Sequence, residues 1–267
     1  MTASRVGLLV WLWLVTPNTG ANDVIREEAI AQSLVQQLPG TAITWLTTDG
    51  QRFLALQNPV QTPSSRGSVI LLHDLDGHPN LEPVIAELRT RLPQHGWQTL
   101  SLQMPLLETG ATLADYLPLL PAAKNRIAAA VTFLKQQNQS PIVVVGYGLG
   151  ALMAITAVLE LGEDIKALVA LSLPVTGQQA PVDPLAVLKT AQLPILDLYA
   201  EADWPEVTVS APERRLAAKH NPNYRQIKLD AVNHTYEHQS SLLVKRIYSW
   251  LNQVTENSSH ALPAGTP

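Results

Sequence analysis

Residues 146–150 read Gly-Tyr-Gly-Leu-Gly, between an apolar run at 142–145 and a helical pattern over 151–159. A strand, a tight glycine turn and a helix make the backbone of a nucleophile elbow, which carries serine at the centre of G-x-S-x-G. Here the central residue is Gly148, which has no side chain to attack with. Two other groups remain able to move protons, Asp203 and His234, each set just after a predicted strand. A carboxylate that holds an imidazole fixes its tautomer and stabilises its charged form. Such a pair can abstract a proton or activate water without serine. A third group is the run His73-Asp74-Leu75-Asp76-Gly77-His78. Two imidazoles and two carboxylates are suitable types for a divalent metal. The run lacks a ligand from another segment and any established metal spacing. It therefore reads as a loop whose side chains turn the backbone and cap the next helix, and no metal or other cofactor is expected.

The elements that must position these residues follow from periodicity. Residues 22–38 carry apolar positions at helical spacing and end at Pro39-Gly40. Asp49-Gly50 between the apolar runs 42–46 and 52–57 predicts a hairpin. Val69-Ile70-Leu71-Leu72 is a short, wholly apolar strand of the kind buried inside a parallel sheet. Strand-like and helix-like segments then alternate. Leu81, Val84, Ile85, Leu88 and Leu92 predict a helix capped by Asn80, and 97–102 the next strand. Ile127, Val131 and Leu134 mark one face of another helix. Strands are predicted at 142–145, 165–173, 194–200 and 224–229, with a closing amphipathic helix through Leu243, Ile247, Trp250 and Leu251. An opening hairpin followed by strand–helix units implies an α/β fold, a mostly parallel sheet with helices on both faces. Ligands in such folds sit beyond the carboxyl ends of the strands. That is where His73, Gly148, Asp203 and His234 fall.

From about residue 42 to 254 the chain resembles the α/β-hydrolase superfamily. His73 follows its strand where that superfamily has a His-Gly oxyanion loop, and 146–150 stand at the elbow. Asp203 resembles the acid after the seventh strand and His234 the base after the eighth. The order nucleophile site, acid, base is the superfamily's. A closer resemblance is to an uncharacterised bacterial envelope branch, domain of unknown function 3530. It rests on His78-Pro79-Asn80, His95-Gly96-Trp97, Leu100-Ser101-Leu102-Gln103-Met104-Pro105, Leu196-Asp197-Leu198-Tyr199 and Tyr224-Arg225-Gln226. That branch also looks short of an elbow serine. The resemblance implies an α/β-hydrolase fold and an envelope location. Residues 174–192, where lid domains are often inserted, read as a loop with one helical turn at 185–190, so no large lid domain is expected. At the site it implies a retained Asp203–His234 dyad, Gly148 at the nucleophile position, and binding by His73, Asp74, Tyr147 and Leu149 around the oxyanion loop and elbow.

Asp74 departs from the pattern, because a glycine usually follows the histidine of this loop. A carboxylate about 4 Å from a developing oxyanion costs roughly 4 kcal/mol at an effective dielectric near 20. Ser172, at the end of the strand beside the elbow strand, is not read as a substitute nucleophile; serines at strand ends commonly satisfy loop backbone groups. Gly146, Gly148 and Ala151 also spell G-x-G-x-x-A, the dinucleotide fingerprint. That fingerprint belongs to a first strand–helix turn, and several strands precede this one.

Composition narrows the rest. At 267 residues, 46% hydrophobic and 15% charged, the chain suits one globular domain. A net charge of −4 with no Lys/Arg block argues against nucleic acid as partner. Residues 1–21 have a basic start, an apolar run at 6–15 and a small-residue end, the pattern of a signal peptide. The run is shorter than the roughly 20 residues of a membrane span. A periplasmic or secreted protein is expected, with no stable span after cleavage. There is no cysteine, hence no disulfide and no acylated anchor. The domain is expected over 22–254, with a disordered tail at 255–267. Residues 106–121 are apolar enough either to overhang the cleft or to pack on the sheet. The expected function is a non-hydrolytic pseudoenzyme that binds a small molecule or an envelope protein. The alternative is a serine-independent enzyme, hydrolytic or proton-abstracting, that works through the Asp203–His234 dyad.

Overall fold

The structure, a computed structural model, describes residues 22–38, 43–177 and 182–260, with side chains given to 255. The predicted signal segment lies outside these residues. Eight strands form one sheet: β1 Ile43–Thr48, β2 Gln51–Asn58, β3 Gly67–Leu72, β4 Trp97–Leu102, β5 Ile142–Tyr147, β6 Ile165–Leu171, β7 Ile195–Ala202 and β8 Tyr224–Asn233. Their order is β1-β2-β4-β3-β5-β6-β7-β8. The β1–β2 hairpin is antiparallel and β2 pairs antiparallel with β4; every later pairing is parallel. Asp49 and Gly50, both at positive φ, make the turn that the Asp-Gly pair predicts.

Helices cover both faces because the central strands are apolar on both. Ile70 and Leu72 of β3 point to one core, Val69 and Leu71 to the other. The first core is closed by α4 (Leu120–Gln136), α5 (Leu149–Leu161) and α6 (Pro184–Thr190). The second is closed by α2 (Val84–Arg91) and α9 (Ser240–His260). Helix α1 (Val24–Gln37) covers Leu54 and Leu56 of β2 with Ala31 and Leu34. It is clamped by Glu27, which accepts from Arg126 at 2.7 Å and from the Leu106 amide at 2.9 Å. Short helices α3 (Leu113–Tyr116), α7 (Pro205–Thr208) and α8 (Ala211–Ala217) fill the connections, and no large lid is inserted among the described residues.

Several local expectations change. Helix α2 starts at Val84, and Asn80 does not cap it. The buried Arg89 guanidinium needs acceptors, and the Asn80 amide oxygen takes two of its donors, at 2.7 and 3.1 Å. Helix α6 is two turns long, capped by the Asp183 carboxylate on the Leu185 amide. Helix α9 continues through His260, so residues 255–260 are helix rather than tail, and 261–267 lie outside the described residues. Residues 106–121 pack: Leu106, Tyr116, Leu117, Leu119 and Leu120 are all buried.

The segments of the closer resemblance meet as buried polar joints. The Asp197 carboxylate accepts from Arg214 at 2.8 and 3.2 Å, from the Tyr224 hydroxyl at 2.6 Å and from Gln226 at 2.9 Å. Ser101 donates to the Pro79 carbonyl at 2.7 Å, and the Trp97 indole to Asn252 at 3.0 Å. Those segments hold the frame of the fold; Gly148, Asp203 and His234 lie outside them.

Candidate functional site

The elbow keeps the geometry of a nucleophile turn. Gly148, between β5 and α5, has φ 54° and ψ −116°, a conformation that L side chains rarely adopt. Gly150 is required by close approach: a Cβ there would lie 2.5 Å from the Leu72 carbonyl oxygen and 2.6 Å from that of His73. The end of β3 is thereby pressed against the first turn of α5, and the residue after His73 is delivered directly onto the elbow.

That residue is Asp74, and its carboxylate fills the space that a side chain at Gly148 would take. A Cβ built on Gly148 would overlap Oδ1 and Cγ of Asp74, and even Oδ2 would be only 2.5 Å away. Asp74 Oδ1 accepts from the Leu149 amide at 2.7 Å. The amide after the nucleophile is an oxyanion-hole donor in elbow enzymes, so the chain's own carboxylate occupies that position as well. Asp74 Oδ2 lies 2.7 Å from Nε2 of His234.

On its other side His234 Nδ1 is 2.6 Å from Asp203 Oδ1. Asp203, just beyond β7, is fully satisfied: Oδ1 also accepts from the Trp204 amide at 2.9 Å, and Oδ2 accepts from Ala200 at 3.0 Å and from the Ser172 hydroxyl at 2.5 Å. Burial works to raise the Asp203 pKa, but the donors from His234, Ser172 and Ala200 outweigh it and the net direction is down. For His234, burial favours the neutral ring, yet the two carboxylates prevail and lift its pKa to about 9. At neutral pH the ring is an imidazolium that donates from both nitrogens, held between two carboxylates. No lone pair remains on it to take a proton.

Aromatic groups enclose the ion. Trp204 stacks on the imidazole with centroids 3.8 Å apart, and Tyr147 lies at 5.1 Å. Tyr147 donates its hydroxyl to the His234 carbonyl at 2.8 Å, and burial beside Asp74 and Asp203 drives its pKa upward. Tyr236, fully buried, shares a 2.8 Å hydrogen bond with Ser172, so Ser172 buttresses Asp203 and does not face the imidazole as a nucleophile would.

The structure thus brings Gly148, Asp74, Leu149, Tyr147, Asp203 and His234 together. His73 stands apart as a support for the loop. Its Nε2 accepts from the Met104 amide at 3.0 Å, leaving the Nδ1 proton for the Asp74 carbonyl at 2.8 Å. Burial lowers its pKa to about 3, so it stays neutral. Sequence reasoning missed Trp204 and Tyr236. Trp204 is adjacent to the acid and Tyr236 two residues past the base, so position alone could have flagged them. The contact between Asp74 and the elbow carries no such signal, because it depends on how closely β3 approaches α5.

Comparisons of the whole chain bear on its family and its fold. The family described as protein of unknown function (DUF3530) matches residues 17–123 and 119–253. No curated protein matches the chain. Among solved structures, Est1E of Butyrivibrio proteoclasticus superposes with TM-score 0.65 at 17% identity, over 80% of this chain and 99% of that one. An esterase of Pyrococcus furiosus gives 0.66 at 19%, over 80% and 92%. A putative dienelactone hydrolase of Klebsiella pneumoniae gives 0.66 at 16%, over 79% and 97%. At these identities the likeness is one of fold. The chain belongs to the DUF3530 family and has the α/β-hydrolase fold.

Proposed function

We propose that this family member is an exported pseudoenzyme: it keeps the hydrolase frame, carries out no serine-type acyl transfer, and acts by binding a small molecule or an envelope protein. The observation that carries the reading is the overlap between a Gly148 side chain and the Asp74 carboxylate. One carboxylate takes the space of the nucleophile, the Leu149 amide and the Nε2 of His234. Acyl transfer needs all three for the substrate. The chain's first 21 residues support export, and an alkaline phosphatase fusion after residue 21 tests it: activity in the periplasm is expected, and a fusion retained inside the cell contradicts it.

The catalytic part of the reading is tested with short- and medium-chain aryl esters. The protein and its His234→Ala variant are expected to give the same background rate. A turnover that His234→Ala abolishes would sink the reading in favour of a dyad enzyme. That second reading draws on the 2.6 Å contact between Asp203 and His234. It requires Asp74 to leave Nε2 first, and the two hydrogen bonds holding Asp74 argue against this.

A further inference from the structure

A second feature lies at the far end of β8. Among the described residues β8 is the outermost strand of the sheet and pairs only with β7, so its other edge carries no strand. Between that edge and α9 runs a groove of about 310 Å³, lined by Arg225 and Ile227 of the strand and by Leu242, Lys245, Arg246 and Trp250 of the helix. The helical positions recur at spacings of three and four, so they form one stripe on α9. Ile227, Leu242 and Trp250 give the groove an apolar floor. Arg225, Lys245 and Arg246 are exposed, and among the described residues none of the three has an ion-pair partner. By contrast, Lys228 on the same strand is bound to Glu201 and Asp230, each at 2.9 Å. Three unpaired cations around an apolar slot are a local exception in a chain of net charge −4.

We propose that this groove docks an extended acidic segment of a partner protein, added along the open edge of β8. Its carboxylates would meet Arg225, Lys245 and Arg246, and an apolar side chain would enter the slot over Ile227 and Trp250. Addition of a strand uses the unpaired backbone for affinity and the flanking pockets for specificity. The helical stripe from Leu242 to Gln253 is about 16 Å long at 1.5 Å per residue, which matches about five residues of extended chain. A lipid surface fits less well, because recognition of anionic lipid draws on roughly four to eight clustered cations and this slot is recessed and has three. Arg225 lies nine residues from His234 along β8, about 30 Å of extended strand. The surface therefore stands whatever the cleft does.

The test is fluorescence anisotropy of the full chain with a labelled peptide of alternating glutamate and leucine, against the same peptide with glutamine for glutamate. Binding is expected for the acidic probe, weakened about tenfold or more by the glutamine probe and by the Arg225→Glu/Lys245→Glu/Arg246→Glu variant. Among the described residues the three side chains have no ion pairs to lose, so the variant is expected to keep the parent's melting temperature. Equal binding of both probes, no binding of the acidic probe, or full affinity in the triple variant would overturn the proposal. So would exclusive capture by phosphatidylglycerol vesicles in a flotation assay.

Discussion

Placing a serine at the elbow by Gly148→Ser alone is expected to destabilise the protein without creating an enzyme. The new Cβ must displace the Asp74 carboxylate, since it would overlap Oδ1 and Cγ and sit 2.5 Å from Oδ2. Displacement breaks two hydrogen bonds, from Leu149 and from His234, both at 2.7 Å. Charged hydrogen bonds contribute about 1.5–3 kcal/mol each, and a non-glycine residue at positive φ costs about 1–3 kcal/mol. Together the substitution costs about 4–9 kcal/mol, a large part of the roughly 5–15 kcal/mol that holds a domain folded. With Asp74→Gly already made, both hydrogen bonds are gone and only the backbone cost remains, about 1–3 kcal/mol. A urea-denaturation cycle over the two single variants and the double variant measures the difference. Coupling of about 3 kcal/mol is expected, the upper end for residues in contact and well above the scatter of about 0.3–0.5 kcal/mol between independent sites. Ester hydrolysis is expected to rise above background only in the double variant, where the introduced hydroxyl has room beside His234. Equal costs of Gly148→Ser in the two backgrounds would refute the claim that Asp74 occupies the nucleophile's place.

Further expectations rest on the same contacts. Replacing His234 by alanine leaves two carboxylates without their shared donor and is expected to cost about 3–5 kcal/mol in chemical denaturation. The His234 pKa, raised from 6.5 to about 9 in the folded state, gives stability that is fully present below pH 6.5 and lost as pH rises through about 9. The loss amounts to about 3 kcal/mol, and the His234→Ala variant is expected to show a flat profile over that window. Asp203, with its pKa lowered, contributes in the opposite sense: its stabilisation is present above the ordinary carboxylate range and fades as the solution is acidified. In Asp74→Ala the Leu149 amide and the imidazolium lose their acceptor, and added formate is expected to raise the melting temperature of that variant more than that of the parent. Arg214→Met strands the buried Asp197 carboxylate and is expected to cost about 3–5 kcal/mol while leaving the His234 titration unchanged.

Much of the fold was legible because apolar periodicity reports burial directly. The apolar runs 69–72 of β3 and 142–145 of β5 lie at the centre of the sheet, and the Asp-Gly pair makes the hairpin turn. Boundaries were less legible where side chains had a tertiary task. Asn80 looks like a helix cap until the buried Arg89 claims its oxygen. The same holds for the site. Asp203 and His234 could be placed together because each follows a strand of one sheet, and adjacent parallel strands carry their ends to one rim. Asp74 was visible as a binding residue of the oxyanion loop and as a charge beside a developing oxyanion. That it enters the elbow itself depends on Gly148 and Gly150 leaving no Cβ between β3 and α5. Glycines state where space is needed; the residue that enters it is fixed by packing between distant segments.

The most direct test of the account is nitrogen NMR of the His234 ring from about pH 5 to about pH 10, assigned with the His234→Ala variant. Both ring nitrogens are expected to stay protonated at neutral pH and to titrate near 9, falling toward the ordinary histidine range in Asp74→Asn. A ring that is neutral at about pH 7, with an Nε2 lone pair open to solvent or substrate, would contradict the central claim that Asp74 has closed the site.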